Sequence, residues 1–236
     1  MLVDSHCHCH EFKDEELAEF RGIGLVAVSD DLQSSKRTLA LKAIGVYPCL
    51  GIHPWQVGKA KPEELAEVLR MIEKEEVPCI GEVGLDKRFV PETYEKQREF
   101  FSAFLRLAKE YGLVLNVHAP DAWRDVVEAL RKADVDRALI HWYTGPLDLL
   151  EEIGALGYYV SVNPAVKIQQ KHRAVAEAVR RDLVVAESDG PYEYRGMRLT
   201  PAMIGETIGL LAEVWKEPRD VVEERLYTNA ARLFRL

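Results

Sequence analysis

Six of the seven histidines, His6, His8, His10, His53, His118 and His141, stand at or just past the end of a short apolar run, and only His172 does not. Two carboxylates, Glu82 and Asp189, end such runs in the same way. A single histidine in that position is most often a satisfied structural residue, but six ending strands that share one face reverse the expectation. Imidazole and carboxylate without thiolate form a borderline-hard donor set, suited to Zn, Mn, Co, Ni or Mg more than to copper or iron–sulfur chemistry. Two such ions, bridged by one carboxylate, would lower the pKa of a shared water and supply hydroxide near neutral pH. The expected chemistry is divalent-metal-dependent hydrolysis at a two-metal site of His6, His8, Glu82, His118, His141 and Asp189. Within HCHCH, strand alternation points His6 and His8 to one side, and Asp4 shares it, placed to support a ligand histidine. Cys7 and Cys9 point the other way and read as wall packing, because a Cys/His zinc site would need a paired-cysteine spacing that is absent.

These side chains are far apart in sequence, so the fold has to gather them. Runs rich in Val and Ile recur at Leu2 to His8, Leu25 to Ser29, Tyr47 to His53, Pro78 to Glu82, Val114 to His118, Ala138 to His141, Tyr158 to Asn163 and Leu183 to Glu187. Between them lie helical patterns such as Pro62 to Glu75 and Pro91 to Tyr111, and Pro201 to Trp215 and Pro218 to Phe234 read as closing helices. Unbroken βα alternation predicts an α/β chain folded as a (β/α)8 TIM-type barrel, with residues 1–236 forming a single domain. Parallel barrel strands bring their C-terminal ends to one mouth, whereas a doubly wound open sheet gives no reason for so many polar strand ends.

At 236 residues and 47% hydrophobic content, the chain is long enough to bury such a core. A formal charge of −8 argues against broad adhesion to nucleic acid or anionic lipid, so any phosphate binding must be local. No window has the length of a membrane span and the opening lacks a signal-peptide pattern, which predicts a cytoplasmic protein with no membrane partner. Cys7, Cys9, Cys49 and Cys79 all adjoin apolar runs, and reduced interior thiols are expected. Three Asn and five Gln against many Glu, Lys and Arg hint at a thermophilic source.

Eight motifs in order give the chain a likeness: DSHCH (Asp4 to His8), GIHPW (Gly51 to Trp55), GEVGLD (Gly81 to Asp86), VHAPDA (Val117 to Ala122), HWYTG (His141 to Gly145), ESDGPY (Glu187 to Tyr192), RGMR (Arg195 to Arg198) and NAARLF (Asn229 to Phe234). In this order and spacing the chain resembles the TatD-type metal-dependent deoxyribonucleases, a branch of the amidohydrolase-like barrels. The resemblance implies that His6, His8 and Asp189 hold one metal, His118 and His141 the second, and Glu82 both. It implies that His53 is a substrate-side histidine, that Arg195 and Arg198 face phosphate, and that Asp189 doubles as the base for the attacking water. The implied activity is a phosphodiesterase on DNA, a 3'-5' exonuclease-like enzyme acting on single-stranded or frayed ends.

The chain departs from the family where Pro120 stands in place of a common arginine, Thr144 in place of a serine and Lys87 in place of an aromatic residue, all near the expected substrate. An ester or amide substrate, such as an aminoacyl-tRNA to be deacylated, is the first alternative, because the same hydroxide attacks a carbonyl. A non-catalytic metal-binding module is the second, although the complete ligand set counts against it. Lys167, Lys171, His172 and Arg173 read either as a solvated helix face or as a nucleic-acid contact. Asn229 is expected to cap, with Leu233 and Phe234 docking on the barrel. The metal identity and the oligomeric state stay open.

Overall fold

The Val- and Ile-rich runs form parallel strands because each is buried on both faces, by the barrel interior on one side and by helices on the other. A computed structural model describes residues Met1–Leu236. The barrel strands are β1 (Leu2–Cys7), β2 (Ile23–Ala27), β3 (Tyr47–Leu50), β4 (Cys79–Gly84), β5 (Val114–His118), β6 (Ala138–Ile140), β7 (Tyr159–Val162) and β8 (Val184–Ala186). They pair in sequence order, every pair parallel. Closure at the mouth comes from beyond β8: the Asp189 N–H donates to the His6 carbonyl at 3.0 Å and the His8 N–H to the Gly190 carbonyl at 2.8 Å. A short antiparallel hairpin, β9 (Glu193–Tyr194) and β10 (Met197–Arg198), follows.

The helices are α1 (Asp14–Glu19), α2 (Leu32–Ala40), α3 (Pro54–Val57), α4 (Pro62–Glu75), α5 (Tyr94–Tyr111), α6 (Trp123–Lys132), α7 (Leu149–Ala155), α8 (Gln170–Ala178), α9 (Ile204–Trp215) and α10 (Arg219–Phe234). On α5, the recurrence of Phe100, Phe101, Phe104, Leu105 and Ala108 lays one apolar face on the sheet, and all five are buried. The barrel interior is filled below the mouth by Val3, Val26, Cys49, Cys79, Val114, Leu139, Tyr159 and Val185, one from each strand, which pack against Leu233 and Phe234 of α10. The closing helix thus plugs one end and leaves the other for chemistry. Asn229, expected as a cap, instead donates to the carbonyls of Arg181 and Val184 at 2.9 and 2.7 Å and ties α10 to β8.

Two strands carry an extra residue in their registers, β1 between Asp4 and Cys7 and β4 between Ile80 and Val83. Such bulges re-aim side chains. The first contains His6 and the second Glu82, and no hydrophobic pattern announces either. Gly84, at φ +143°, passes so close to β5 that a Cβ there would lie 2.0 Å from the His118 carbonyl oxygen, which leaves only glycine.

The expectation of four reduced thiols needs correcting. Cys49 and Cys79 are direct partners in the β3–β4 register, with Cα atoms 4.5 Å apart, and are joined in a disulfide, while Cys7 and Cys9 are free and buried. The strand register, invisible from a separation of 30 residues, makes the pair. Cys7 and Cys9 pack with Phe12, Leu17, Phe20 and Leu25 as wall residues. No helix is long and apolar enough to cross a membrane.

Candidate metal centre

The strand ends bring six side chains to one point. Glu82, 1% exposed, lies at the centre with its two oxygens facing different partners. Its Oε2 is 3.3 Å from both His6 Nε2 and His8 Nε2, whereas its Oε1 is 2.8 Å from His118 Nδ1 and 2.8 Å from His141 Nε2. Asp189 joins the first group, its Oδ1 standing 3.3 Å from His6 Nε2 and 3.4 Å from His8 Nε2. The arrangement is two donor clusters sharing one carboxylate.

Outer partners decide which imidazole nitrogen faces inward. His6 Nδ1 lies 2.8 Å from Asn116 Oδ1, and Asn116 spends its amide on the Ser5 carbonyl at 3.0 Å, so His6 donates from Nδ1 and turns its Nε2 lone pair to the centre. His118 donates from Nε2 to Asp86 Oδ2 at 2.8 Å and presents Nδ1. Asp86 also accepts from the Trp55 indole and the Arg88 and Phe89 amides at 2.7 Å, and despite its burial the His118 and backbone hydrogen bonds lower its pKa to about 2. His141 Nδ1 looks toward Glu187 Oε1 at 3.7 Å. A carboxylate or amide behind each imidazole is the usual support of a metal-ligating histidine. His6 Nε2 and Glu82 Oε1 are buried without hydrogen-bond partners, an arrangement that fits divalent cations completing the centre.

His53 lines the same cavity with the opposite tautomer. Its Nδ1 accepts the Trp55 N–H at 3.1 Å, so the hydrogen sits on Nε2, 3.2 Å from Glu82 Oε1. His53 therefore offers a donor inward and no lone pair. Burial lowers the pKa of His53 and so opposes a proton on Nδ1. Burial opposes charge on Glu82 and Asp189 as well, but the surrounding imidazoles hold both carboxyls well below the usual range. Burial and His6 oppose a charge on His141, yet Glu82 and Glu187 raise it to about 9. Cations held here would compete with protons for the same lone pairs.

Asp4 supports backbone rather than an imidazole. Its Oδ1 accepts from the His6 and Ser188 amides at 3.2 and 2.9 Å, and burial raises its pKa to about 7. The β1 bulge separates it from the face shared by His6 and His8.

The centre floors a cavity of about 290 Å³ whose wall is aromatic, with Trp55, Phe89, Trp142, Tyr192 and Tyr194. Trp55, Phe89 and Tyr192 are 40%, 56% and 43% exposed. The indoles of Trp55 and Trp142 are anchored by N–H bonds to Asp86 and to Gln169 at 2.7 and 2.8 Å, which orients their faces. Pro120 and Thr144 also line the cavity, as does Arg88, whose guanidinium is held by both oxygens of Asp121 at 2.9 Å. Lys87 lies outside it, paired with Asp125.

Arg195 and Arg198 do not line the cavity. Arg195 lies over the Tyr194 ring at 5.4 Å, and Arg198 pairs with Glu16 at 2.8 Å above the Phe12 ring. Asn116, Asp86, Glu187, Asp30 and the aromatic wall escaped the sequence reading. Asp86, Glu187 and Trp55 stood inside its motifs, but only proximity gives them a role.

The basic run just before and on α8 resolves into structure. Lys167 pairs with Glu206 at 3.1 Å and Arg173 with Glu177 at 3.3 Å. His172 is buried, accepting the Asn163 N–H at 3.1 Å through Nε2 and donating from Nδ1 to the Tyr143 carbonyl at 3.2 Å. Protonation would set two hydrogens against each other at Nε2, and burial lowers the pKa to about 4. A depressed imidazole keeps the fold intact above the unfolded pKa and weakens it as pH falls from there toward the folded value. Between pH 6.5 and 5 the cost is about 2 kcal/mol. His172→Gln is expected to be less stable at pH 7 but to lose less between pH 7 and 5 than wild type. Parallel denaturant titrations with equal acid losses would rule this out.

Residues 3–235 match the family model described as TatD related DNase. An uncharacterized metal-dependent hydrolase of Haemophilus influenzae is 30% identical, with full coverage of both chains. A putative deoxyribonuclease of Mus musculus is 30% identical over 99% of this chain and 88% of its own. The crystal structure of the TatD homologue YjjV of Escherichia coli superposes with a TM-score of 0.91 at 25% identity, covering 100% of this chain and 98% of that one.

Proposed function

Since the chain belongs to the TatD-related DNase family and is a metal-dependent hydrolase, we propose that it cleaves phosphodiester bonds at the ends of DNA strands with two divalent ions. His6, His8 and Asp189 would hold one ion, His118 and His141 the other, and Glu82 both. The imidazole–carboxylate set accommodates Zn, Mn, Mg, Co or Ni without choosing among them. When bound, such ions polarise the phosphoryl group and acidify a water.

The chain's own groups then have distinct tasks. His53 donates its Nε2–H to a non-bridging phosphate oxygen. Asp189, ionised throughout the working range, orients the attacking water and accepts its proton, which passes to the leaving oxygen or to solvent. Asp86 and Asn116 keep His118 and His6 in the metal-ready tautomer.

The observation that carries the nucleic-acid reading is the aromatic wall. Trp55, Phe89 and Tyr192 offer exposed rings beside the donor clusters, suited to stacking unpaired bases at a strand end. A small acyl ester has no use for such a wall. Arg195 and Arg198, beyond the rim on the hairpin, would meet flanking phosphates rather than the reacting one.

Metal-stripped protein, reconstituted with each ion in turn, should regain turnover on single-stranded DNA above that on blunt duplex, RNA, a phosphodiester chromophore or an aminoacyl ester. Turnover confined to the aminoacyl ester would overturn the reading. In the same assay Arg195→Ala should weaken DNA cleavage with a loss that shrinks as salt rises, and Arg198→Ala should cost less because Glu16 already neutralises it. Losses independent of salt would make both arginines loop supports.

A further inference from the structure

Beside the two clusters just described, a third group of donors lies at the edge of the mouth. His8, His10, Glu11 and Asp30 each contribute one nitrogen or oxygen, all within 4.8 Å of one another. We propose that His10, Asp30 and Glu11 hold a third divalent cation, one that neutralises the acidic side of the mouth toward a phosphate-bearing substrate.

The argument begins with the His10 tautomer. His10 Nδ1 lies 3.2 Å from the Val28 carbonyl oxygen, which only accepts, so the hydrogen sits on Nδ1. Its Nε2 then turns a lone pair to Asp30 Oδ2 at 3.1 Å. Two acceptors at that separation repel unless a proton or a cation stands between them. Two ligands bound to one cation at about 2.1 Å, at an angle near 90°, are themselves about 3 Å apart. Glu11 Oε1, 4.0 Å from the same Nε2 on a half-exposed side chain, is free to close on an ion there.

A second observation concerns Asp30. It ends no motif and is mostly buried, yet its Oδ1 makes no hydrogen bond, and neither does His8 Nδ1, although the two lie 3.1 Å apart. A carboxylate placed only to support His8 would align with that nitrogen. Instead Asp30 lies between two imidazoles with its oxygens divided between them, Oδ1 behind His8 and Oδ2 turned to the His10 lone pair.

The position gives the ion its task. Glu11, Asp30 and His8 all line the substrate cavity. Without a cation, Glu11 and Asp30 confront an incoming phosphodiester with negative charge, and Arg195 and Arg198 do not line the cavity to offset it. With one, the same side becomes a phosphate-binding subsite in a chain whose net charge is −8. The task rests on the phosphodiesterase reading, whereas the donor set stands without it.

Metal-free protein titrated with Mn²⁺, with free ion followed by electron paramagnetic resonance, should bind three equivalents. Glu11→Gln and His10→Gln should each weaken one equivalent by about tenfold or more while the others persist. Glu11 is exposed, so its variant folds even if the His10 variant does not. Saturation of wild type at two equivalents would overturn the proposal, as would a third equivalent of unchanged affinity in Glu11→Gln. Glu82→Ala in the same titration separates the two readings. If it leaves all equivalents in place, the shared-carboxylate centre is wrong, while the difference between wild type and Glu11→Gln still reports on the third site.

Discussion

Glu82→Ala is expected to lose both central ions and all measurable hydrolysis, whereas His53→Ala keeps the ions and loses substrate affinity. Glu82 alone places an oxygen in each donor cluster, Oε2 with His6 and His8 and Oε1 with His118 and His141. Its removal takes a ligand from both ions and leaves two neighbouring dications without a shared anion. Loss of an outer-shell partner weakens metal affinity by about 10- to 100-fold, and loss of a bridging ligand should exceed that at both sites. The substitution also leaves the buried His6 and His141 rings, stacked with centroids 3.9 Å apart, without the carboxylate that compensates their charge. His53 offers only its Nε2–H, so its loss removes a donor to substrate and no ligand. Metal content by mass spectrometry, circular dichroism and steady-state kinetics on both variants make the comparison. Full metal in Glu82→Ala, or equal metal loss in the two variants, would remove Glu82 from the bridging position.

The eight strands and the mouth were legible because a parallel barrel writes both into one pattern, an apolar run followed by a polar residue. His118 ends β5 and Asp189 follows β8 as that pattern requires. What the sequence withheld is lateral. Nothing in LVDSHC or CIGEVG shows that β1 and β4 each take an extra residue, yet the bulges aim His6 and Glu82 and turn Asp4 to backbone support. The partnership of Cys49 with Cys79 is likewise a matter of register. Arg198 sits on a two-residue strand and Arg195 in the turn before it, neither of which periodicity can orient, and the ion pair with Glu16 that draws Arg198 aside spans the chain from α1 to β10. His10 belongs to the same strand-end pattern as the other histidines but finds its partner in Asp30, which follows β2 and ends no recognisable motif. Tautomers were equally hidden. His53 and His118 are both strand-end histidines, and only the Trp55 amide behind one and the Asp86 carboxylate behind the other make the first a donor and turn the lone pair of the second to the centre.

Asp189→Asn separates the chemistry at the centre from its architecture. Asp189 holds a left-handed backbone conformation, φ +58°, and its N–H closes the barrel on the His6 carbonyl. Asparagine adopts that region as readily as aspartate, and the backbone bond is unchanged, so the variant should fold; alanine would add strain and confuse the result. The amide occupies the same space beside His6 Nε2 and His8 Nε2 but carries no charge to balance a cation and no basic oxygen to take a proton. Loss of general-base assistance alone costs about 10²- to 10⁴-fold in turnover, and weaker retention of the ion held with His6 and His8 adds to it. Metal affinity and turnover must therefore be measured together, with turnover read at saturating ion. At full occupancy a loss of about 10²-fold or more is expected, with KM for DNA nearly unchanged because His53 and the aromatic wall still bind substrate. A shift confined to metal affinity, with turnover at saturation within about threefold of wild type, would make Asp189 a ligand only and move the proton-accepting role to another group at the mouth.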